Sequence, residues 1–272
     1  MNQFKFPSIT EEYDGTTWQG AGIYVYEKLD GGNASIRREG GKIIPWSRGG
    51  PVGRSNKYFF NALRMFVFDL LTPEIYALPE RFIPFGEFLH PGYGHIKYHT
   101  LYLNKFFLIG MYDTEQQKFI APPLAQQELE RSGLAGKIKT VPWLQQGSID
   151  KDSAERLVLH STFYDGPCEG IVIHDYDEKY EQGVRMVKYY HPQFREYDPS
   201  QEGVRKYLTL RRLVKAGQQS LAAGQEISVD TIITGVTQDV LRQDHRLKEK
   251  EVQEELRTLS QTIEEKVLPL FR

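Results

Sequence analysis

Apolar residues gather in short β-like runs over much of residues 1–195 and recur at three-to-four-residue steps after about residue 203. In the first region glycine and proline punctuate short β-like runs. The pattern predicts strands over 23–27, 42–45, 82–88, 105–111, 170–174 and 184–190. It predicts helices over 58–71, over 124–133 with Gly133 as the stop, and over 153–161 with Ser153 as N-cap. Beyond Gly203 glycine thins out. The segment 203–217, "GVRKYLTLRRLVKAG", reads as a helix carrying Arg205, Lys206, Arg211, Arg212 and Lys215 with no acid. Val252, Leu256, Leu259, Ile263, Val267 and Leu270 then recur at helical steps and predict a packing face. These rhythms predict an α+β body over 1–195 and a small all-helical domain over 203–272, with the boundary near 192–203.

Composition narrows the class. The chain has 272 residues, 40% of them apolar and 12% aromatic, enough for a sizeable core, and 26% charged. A formal net charge of −2 excludes a surface that attracts nucleic acid everywhere, but leaves room for a local basic groove. Cys168 is the single cysteine, so an intramolecular disulfide and a cysteine-rich zinc site are excluded and a reducing compartment is expected. No apolar run is long enough to span a bilayer, and the N-terminal stretch lacks an apolar signal core. The expectation is an intracellular, cytoplasmic protein that does not engage a membrane.

Charged residues then interrupt the apolar runs at recurring places. "YEKLDGGNASI", residues 26–36, puts Lys28 at the end of a predicted strand, before Asp30, a Gly31-Gly32 pair and Asn33. Read locally, this is a hairpin turn. Further on, Arg48 precedes a Gly-Gly-Pro turn, Glu87 breaks "FIPFGEFLH", Glu169 opens "CEGIVIHD", and Lys188 sits inside "RMVKYYHP". Each charge alone has a bland explanation: a strand-end turn, a salt bridge, or an edge charge that discourages aggregation. Together they bring two acids, two lysines and an arginine to positions that should be dry, where an unpartnered charge is costly.

The ordered set resembles the covalent nucleotidyltransferase superfamily of ATP-dependent ligases, NAD-dependent DNA ligases and mRNA capping enzymes. Its nucleophile motif, Lys-x-Asp-Gly, corresponds to Lys28-Leu29-Asp30-Gly31. Within it the chain is most similar to RNA ligases of the T4 RNA ligase 2 type, which carry a glutamate before the lysine (Glu27 here), an asparagine five residues after it (Asn33) and a downstream arginine (Arg48). The resemblance implies a nucleotidyltransferase domain of ATP-grasp-like antiparallel sheets with flanking helices, followed by helices. It implies ATP and Mg2+ (or Mn2+) as cofactors and RNA ends, nicked or single-stranded, as partner.

By the same resemblance Lys28 takes AMP from ATP, AMP passes to an RNA 5′-phosphate, and a 3′-hydroxyl displaces it. Lys28, Lys188 and Arg48 take the catalytic roles; Glu27, Asp30, Gly31, Asn33, Glu87, Phe107, Ile109 and Lys188 bind the nucleotide; and Glu169 organises the metal. A free lysine has a pKa of about 10.4, so its nucleophilic form needs a dry, cation-lined seat. Three departures stand out: Ile109-Gly110 where an aromatic pair is usual, Tyr190 in place of a second lysine, and Asp30 where the most similar RNA ligases often have histidine. They keep a small DNA ligase and a weakly catalytic nucleotide- or RNA-binding module open as alternatives. The 205–215 helix is the candidate grip on the phosphate backbone. His90, His95, His99 and His174 lack ligand spacing, Cys168 reads as a packed thiol, and Trp46 and Trp143 as core or groove aromatics.

Overall fold

The computed structural model describes residues 6–7, 9–53, 58–70, 74–94, 96–195, 203–244 and 247–271. The chain divides into two compact units, Met1–Tyr189 and Tyr190–Arg272. Residues 196–202, within the expected boundary, and His95 lie outside the described residues.

In the first unit the strands run β1 (Trp18–Glu27), β2 (Gly32–Glu39), β3 (Lys42–Ser47), β4 (Gly50–Pro51), β5 (Phe82–Leu89), β6 (Lys105–Asp113), β7 (Lys118–Ile120), β8 (Lys139–Thr140), β9 (Trp143–Ile149), β10 (Gly170–Tyr176) and β11 (Val184–Tyr190). They form two sheets. The first has the order β11-β10-β1-β9; the second has the order β4-β3-β2-β5-β6-β7, with β8 added in parallel to β6. Helices α1 (Tyr58–Met65) and α2 (Pro122–Arg131) contribute Phe59, Leu63, Ala125 and Leu129 to a core on the outer face of the second sheet. Fully burying a residue such as Leu63 stabilises the unit by roughly 1.5–3 kcal/mol. Helix α3 (Lys151–Leu157) does the same for the first sheet, where Ala154 joins Ile23, Val25, Ile171, Ile173 and Val187.

Strict alternation fixes what lies between the sheets. Because Ile23 and Val25 face α3, Tyr24 and Tyr26 face the other way, into a cluster with Phe107 of β6, Tyr98 and Phe163.

The hairpin reading of "DGG" is overturned here. β1 pairs with β9 and β10, whereas β2 pairs with β3 and β5, so the turn carries the chain from one sheet to the other. A local turn signal says nothing about which strands pair, and the partners of β1 lie far along the chain. Two smaller corrections concern helices. The predicted 58–71 helix is α-helical only to Met65, and Phe66–Leu70 widens into a π-helix. The N-cap of α3 is Asp150, not Ser153: the Asp150 carboxylate accepts the Ser153 N–H at 2.7 Å, satisfying an otherwise orphaned donor.

The second unit contains α4 (Leu210–Ala222), α5 (Val229–Gln243) and α6 (Glu249–Thr258), followed by helical turns to Phe271. Val252, Leu256, Ile263 and Val267 of the predicted stripe are buried against Leu213, Ile232 and Val236, whereas Leu270 is exposed. No helix among the described residues is long and apolar enough to cross a membrane.

Candidate active site

Lys28 is the first residue beyond β1, and its N–H donates to the Gly170 carbonyl at 2.8 Å, extending the β1–β10 ladder by one step. Glu169 immediately precedes β10. The ladder therefore seats the two side chains together, and Lys28 Nζ lies 2.6 Å from Glu169 Oε2. The Lys28 side chain is 24% exposed and that of Glu169 2%, so the lysine can be approached while the carboxylate is enclosed.

The crossover then lays Asp30, Gly31 and Gly32 over β5. A side chain at Gly31 would press on Leu89 and Glu87, and one at Gly32 would overlap the Phe59 ring, so only glycine permits this approach. Asn33 is paired with Glu87, and Glu87 with Phe107, so the three residues lie side by side across β2, β5 and β6. Burial pushes the Glu87 carboxyl up to about 8; Lys28 and Arg48 oppose the shift, while Glu169 and Asp30 add to it. Glu87 Oε2 is buried and has no hydrogen-bond partner among the described residues. Arg48 is exposed, in the turn between β3 and β4.

Lys188 is half-buried on β11, with its backbone N–H and carbonyl bonded to Glu11 and Tyr13. Val187 faces α3, so alternation turns Lys188 to the inter-sheet side, the side Lys28 continues from Tyr24 and Tyr26. The β10–β11 connection returns the chain so that Lys188 and Glu169 share one end of the sheet. Ile109 and Gly110 line a narrow cleft with Tyr26, Thr140 and Tyr176.

Three expectations need correction. Glu27 was expected to bind nucleotide, but strand alternation turns it away from Lys28. Its buried carboxylate instead accepts from Ser161 Oγ at 2.5 Å and from Thr162 N–H at 2.8 Å. Burial raises its pKa against the pull of those two bonds. Phe107, expected against the base, is buried edge-on against Phe163 at 5.1 Å and packs on Tyr102. The basic helix is not a free cationic face. Arg212 is 1% exposed and bonds Asp239 at 2.6 Å and Gln243 at 2.8 Å; Lys215 lies 3.9 Å from Asp239, and Arg205 3.1 Å from Glu255.

Other groups read from sequence are packed. His174 is buried, driven down to about 3 by that burial, and its Nδ1 lies 3.1 Å from the Tyr176 hydroxyl. The Cys168 thiol is pushed up by burial and bonds the His160 carbonyl at 3.1 Å. Among the described residues no group of three or more His, Cys, Asp or Glu side chains forms a metal cage. A magnesium ion, which keeps waters and shares its coordination with substrate phosphates, needs no such cage, and the enclosed oxygens of Glu169 suit it. Tyr98, Tyr26, Tyr176 and Ser161 went unread from sequence. The strand-like run over 23–27 was the one available signal for Tyr26; nothing local marks the others.

A lysine and two carboxylates gathered where the chain crosses between two packed antiparallel sheets define a nucleotidyltransferase-like ligase fold. Residues 22–190 match the model of the RNA ligase family, and the chain belongs to that family. It is similar in fold to a mutant of the Naegleria gruberi RNA ligase solved with ATP and Mn, at 17% identity and a TM-score of 0.52, covering 68% of this chain and 57% of that one. A structure of the same ligase with PPi aligns at 18% identity and a TM-score of 0.48, covering 68% and 57% of the two chains. The chain thus spans little more than half of the solved ligase chain. Comparison with curated protein sequences returned no match.

Proposed function

We propose that this protein is an ATP-dependent RNA ligase that joins 5′-phosphate and 3′-hydroxyl ends through AMP carried on Lys28. The observation that carries the reading is the 2.6 Å contact of Lys28 with Glu169 at the inter-sheet crossover, next to the unpartnered Glu87 oxygen. Lys28 first gives its ammonium proton to the Glu169 carboxylate 2.6 Å away; Nζ then attacks the α-phosphorus of ATP, a P–N bond forms, the P–O bond to pyrophosphate breaks, and the nitrogen sheds a second proton to solvent. An oxygen of the RNA 5′-phosphate then displaces Lys28, and the 3′-hydroxyl oxygen displaces AMP as the new phosphodiester forms.

The chain's residues support each part of this. Gly31 and Gly32 let the crossover lie tightly on β5 and Phe59 beside Glu87, and the unpartnered Glu87 oxygen suits a ribose hydroxyl. The cleft of Tyr26, Ile109 and Tyr176 lies two residues along the same strand face from Lys28 and is the seat for the base once its side chains part, being too narrow for a purine as it stands. This assigns the aliphatic Ile109, rather than Phe107, to the base. Lys188 and Arg48 supply positive charge for the phosphates. Glu169 would hold Mg2+ or Mn2+, and the ion would supply positive charge beside the α-phosphate. The ATP and Mn in the Naegleria ligase structure support the same cofactors here.

The test is to incubate the protein with labelled ATP, GTP or NAD and magnesium, denature it, and look for retained label. The expected result is an adduct from ATP alone that Lys28→Ala abolishes. Sealing of nicked duplexes with RNA, but not DNA, on the 3′-hydroxyl side completes it. No adduct from any nucleotide would leave only a binding module, and equal sealing of all-DNA nicks would reassign the substrate.

A further inference from the structure

We infer that Tyr98 and Glu27 are positioning residues that clasp the Lys28 segment from both sides. The inference rests on the reading of Lys28 as the nucleophile.

On the downstream side the loop after β5 folds over the crossover. The Asp30 N–H donates to the Tyr98 hydroxyl oxygen at 2.6 Å, and the Ile96 N–H donates to Asp30 Oδ2 at 3.1 Å. Gly94, with φ of +86°, lies so close to the Asp30 carbonyl that a Cβ there would overlap it. The KxDG aspartate therefore binds its own overlying loop by both backbone and side chain. On the upstream side Glu27 holds Ser161 and Thr162, in the loop that runs from α3 into Glu169.

The two loops are joined to each other. The His99 N–H donates to the Phe163 carbonyl at 3.1 Å, and the Tyr98 ring packs edge-on against Phe163 and Tyr164 at 6.2 and 5.9 Å. Ser161 Oγ accepts from the Phe163 N–H at 3.0 Å, closing the connection back to Glu27. Residues on either side of Lys28 are thus bonded to one linked pair of loops, and one of these loops delivers Glu169. Tyr98 is buried, and its hydroxyl meets the Asp30 N–H within the clasp. Catalysis is sensitive to such seating, since a 1 Å misplacement of a reacting group can cost about a hundredfold in rate.

Tyr98→Phe removes the hydroxyl and keeps the ring, and Ser161→Ala removes the bond to Glu27 together with the acceptor of the Phe163 N–H. Each variant is measured in two ways: the rate of labelled-AMP attachment at saturating ATP, and hydrogen exchange of the 29–32 amides. For Tyr98→Phe the expected result is a roughly tenfold or greater loss of attachment rate. The apparent affinity for ATP should stay within about threefold, because a positioning defect falls on the rate of the step rather than on binding. Exchange of the Asp30 amide should quicken by about tenfold or more, since its acceptor is gone. Ser161→Ala should slow attachment in the same direction with its own ATP affinity kept. Unchanged exchange and an unchanged rate in Tyr98→Phe would overturn the clasp. Faster exchange in a protein that forms no adduct at all would uphold the clasp and remove the ligase reading instead.

Discussion

Lys28 and Glu169 stand 141 residues apart in sequence and 2.6 Å apart in space, one at the exit of β1 and the other at the entrance of β10. Their contact is a product of sheet register: the Lys28 N–H bonds the Gly170 carbonyl, and the side chains follow. The lysine is the more accessible partner, the carboxylate the enclosed one.

That asymmetry gives a stability prediction. Lys28→Ala removes the lysine from a carboxylate that remains buried, and a hydrogen bond to a charged group contributes about 1.5–3 kcal/mol. Urea unfolding should show a loss of this size, and Lys28→Ala combined with Glu169→Gln should recover part of it. If the double variant is less stable than the single, the buried charge is not the cause.

Glu87 predicts a pH dependence of stability. Its carboxyl is held near 8 in the fold, far above its ordinary value, so between those limits the folded protein binds more protons than the unfolded chain. Its contribution to stability is therefore fully present below the ordinary value and is lost as pH rises through 8. Glu87→Gln should gain stability relative to the parent protein over the same interval, on the order of 4–5 kcal/mol by pH 8. Parallel stability curves from pH 5 to 8 would contradict the assignment.

Gly32→Ala should be costly for a steric reason. The new methyl group would meet the Phe59 ring, which is packed against Tyr93 at 4.6 Å and Phe88 at 5.7 Å and has little room to withdraw. Overpacking of this kind costs about 1–3 kcal/mol. The smaller partner change Phe59→Leu should relieve it, and thermal unfolding of the two variants and their combination would show whether the costs are coupled.

Arg212→Ala should destabilise the C-terminal unit rather than merely weaken nucleic-acid binding. It strips a buried guanidinium from Asp239 and Gln243, and removing one member of a buried pair costs about 3–5 kcal/mol. Limited proteolysis should release fragments from the 203–272 region at lower denaturant than in the parent protein. An intact, equally resistant unit with reduced RNA affinity would restore the phosphate-gripping role.

The extent to which the site could be read in advance follows from the range of each interaction. Glu87, Glu169 and Lys188 were legible because a charge inside an apolar strand is anomalous at the level of neighbouring residues. The true facing of Glu27 was also legible in principle, since Ile23, Val25 and Glu27 alternate onto one side. The crossover was not, because a glycine turn looks the same whether it closes a hairpin or links two sheets. Nor was Tyr98, whose partner Asp30 is 68 residues away, or the internal pairing of Arg212 with α5. A basic segment read alone has no means of showing acids carried by another helix.

The strand pairing of β1 also has a consequence for synthesis of the chain. Both of its partners, β9 and β10, are made long after it, so β1 emerges from the ribosome with no neighbour in the nascent polypeptide. Such distant pairings form late, because the intervening loop must first be ordered. A chain arrested before Trp143 holds Lys28 with neither adjoining strand, and translation must pass Tyr176 before its seat can assemble.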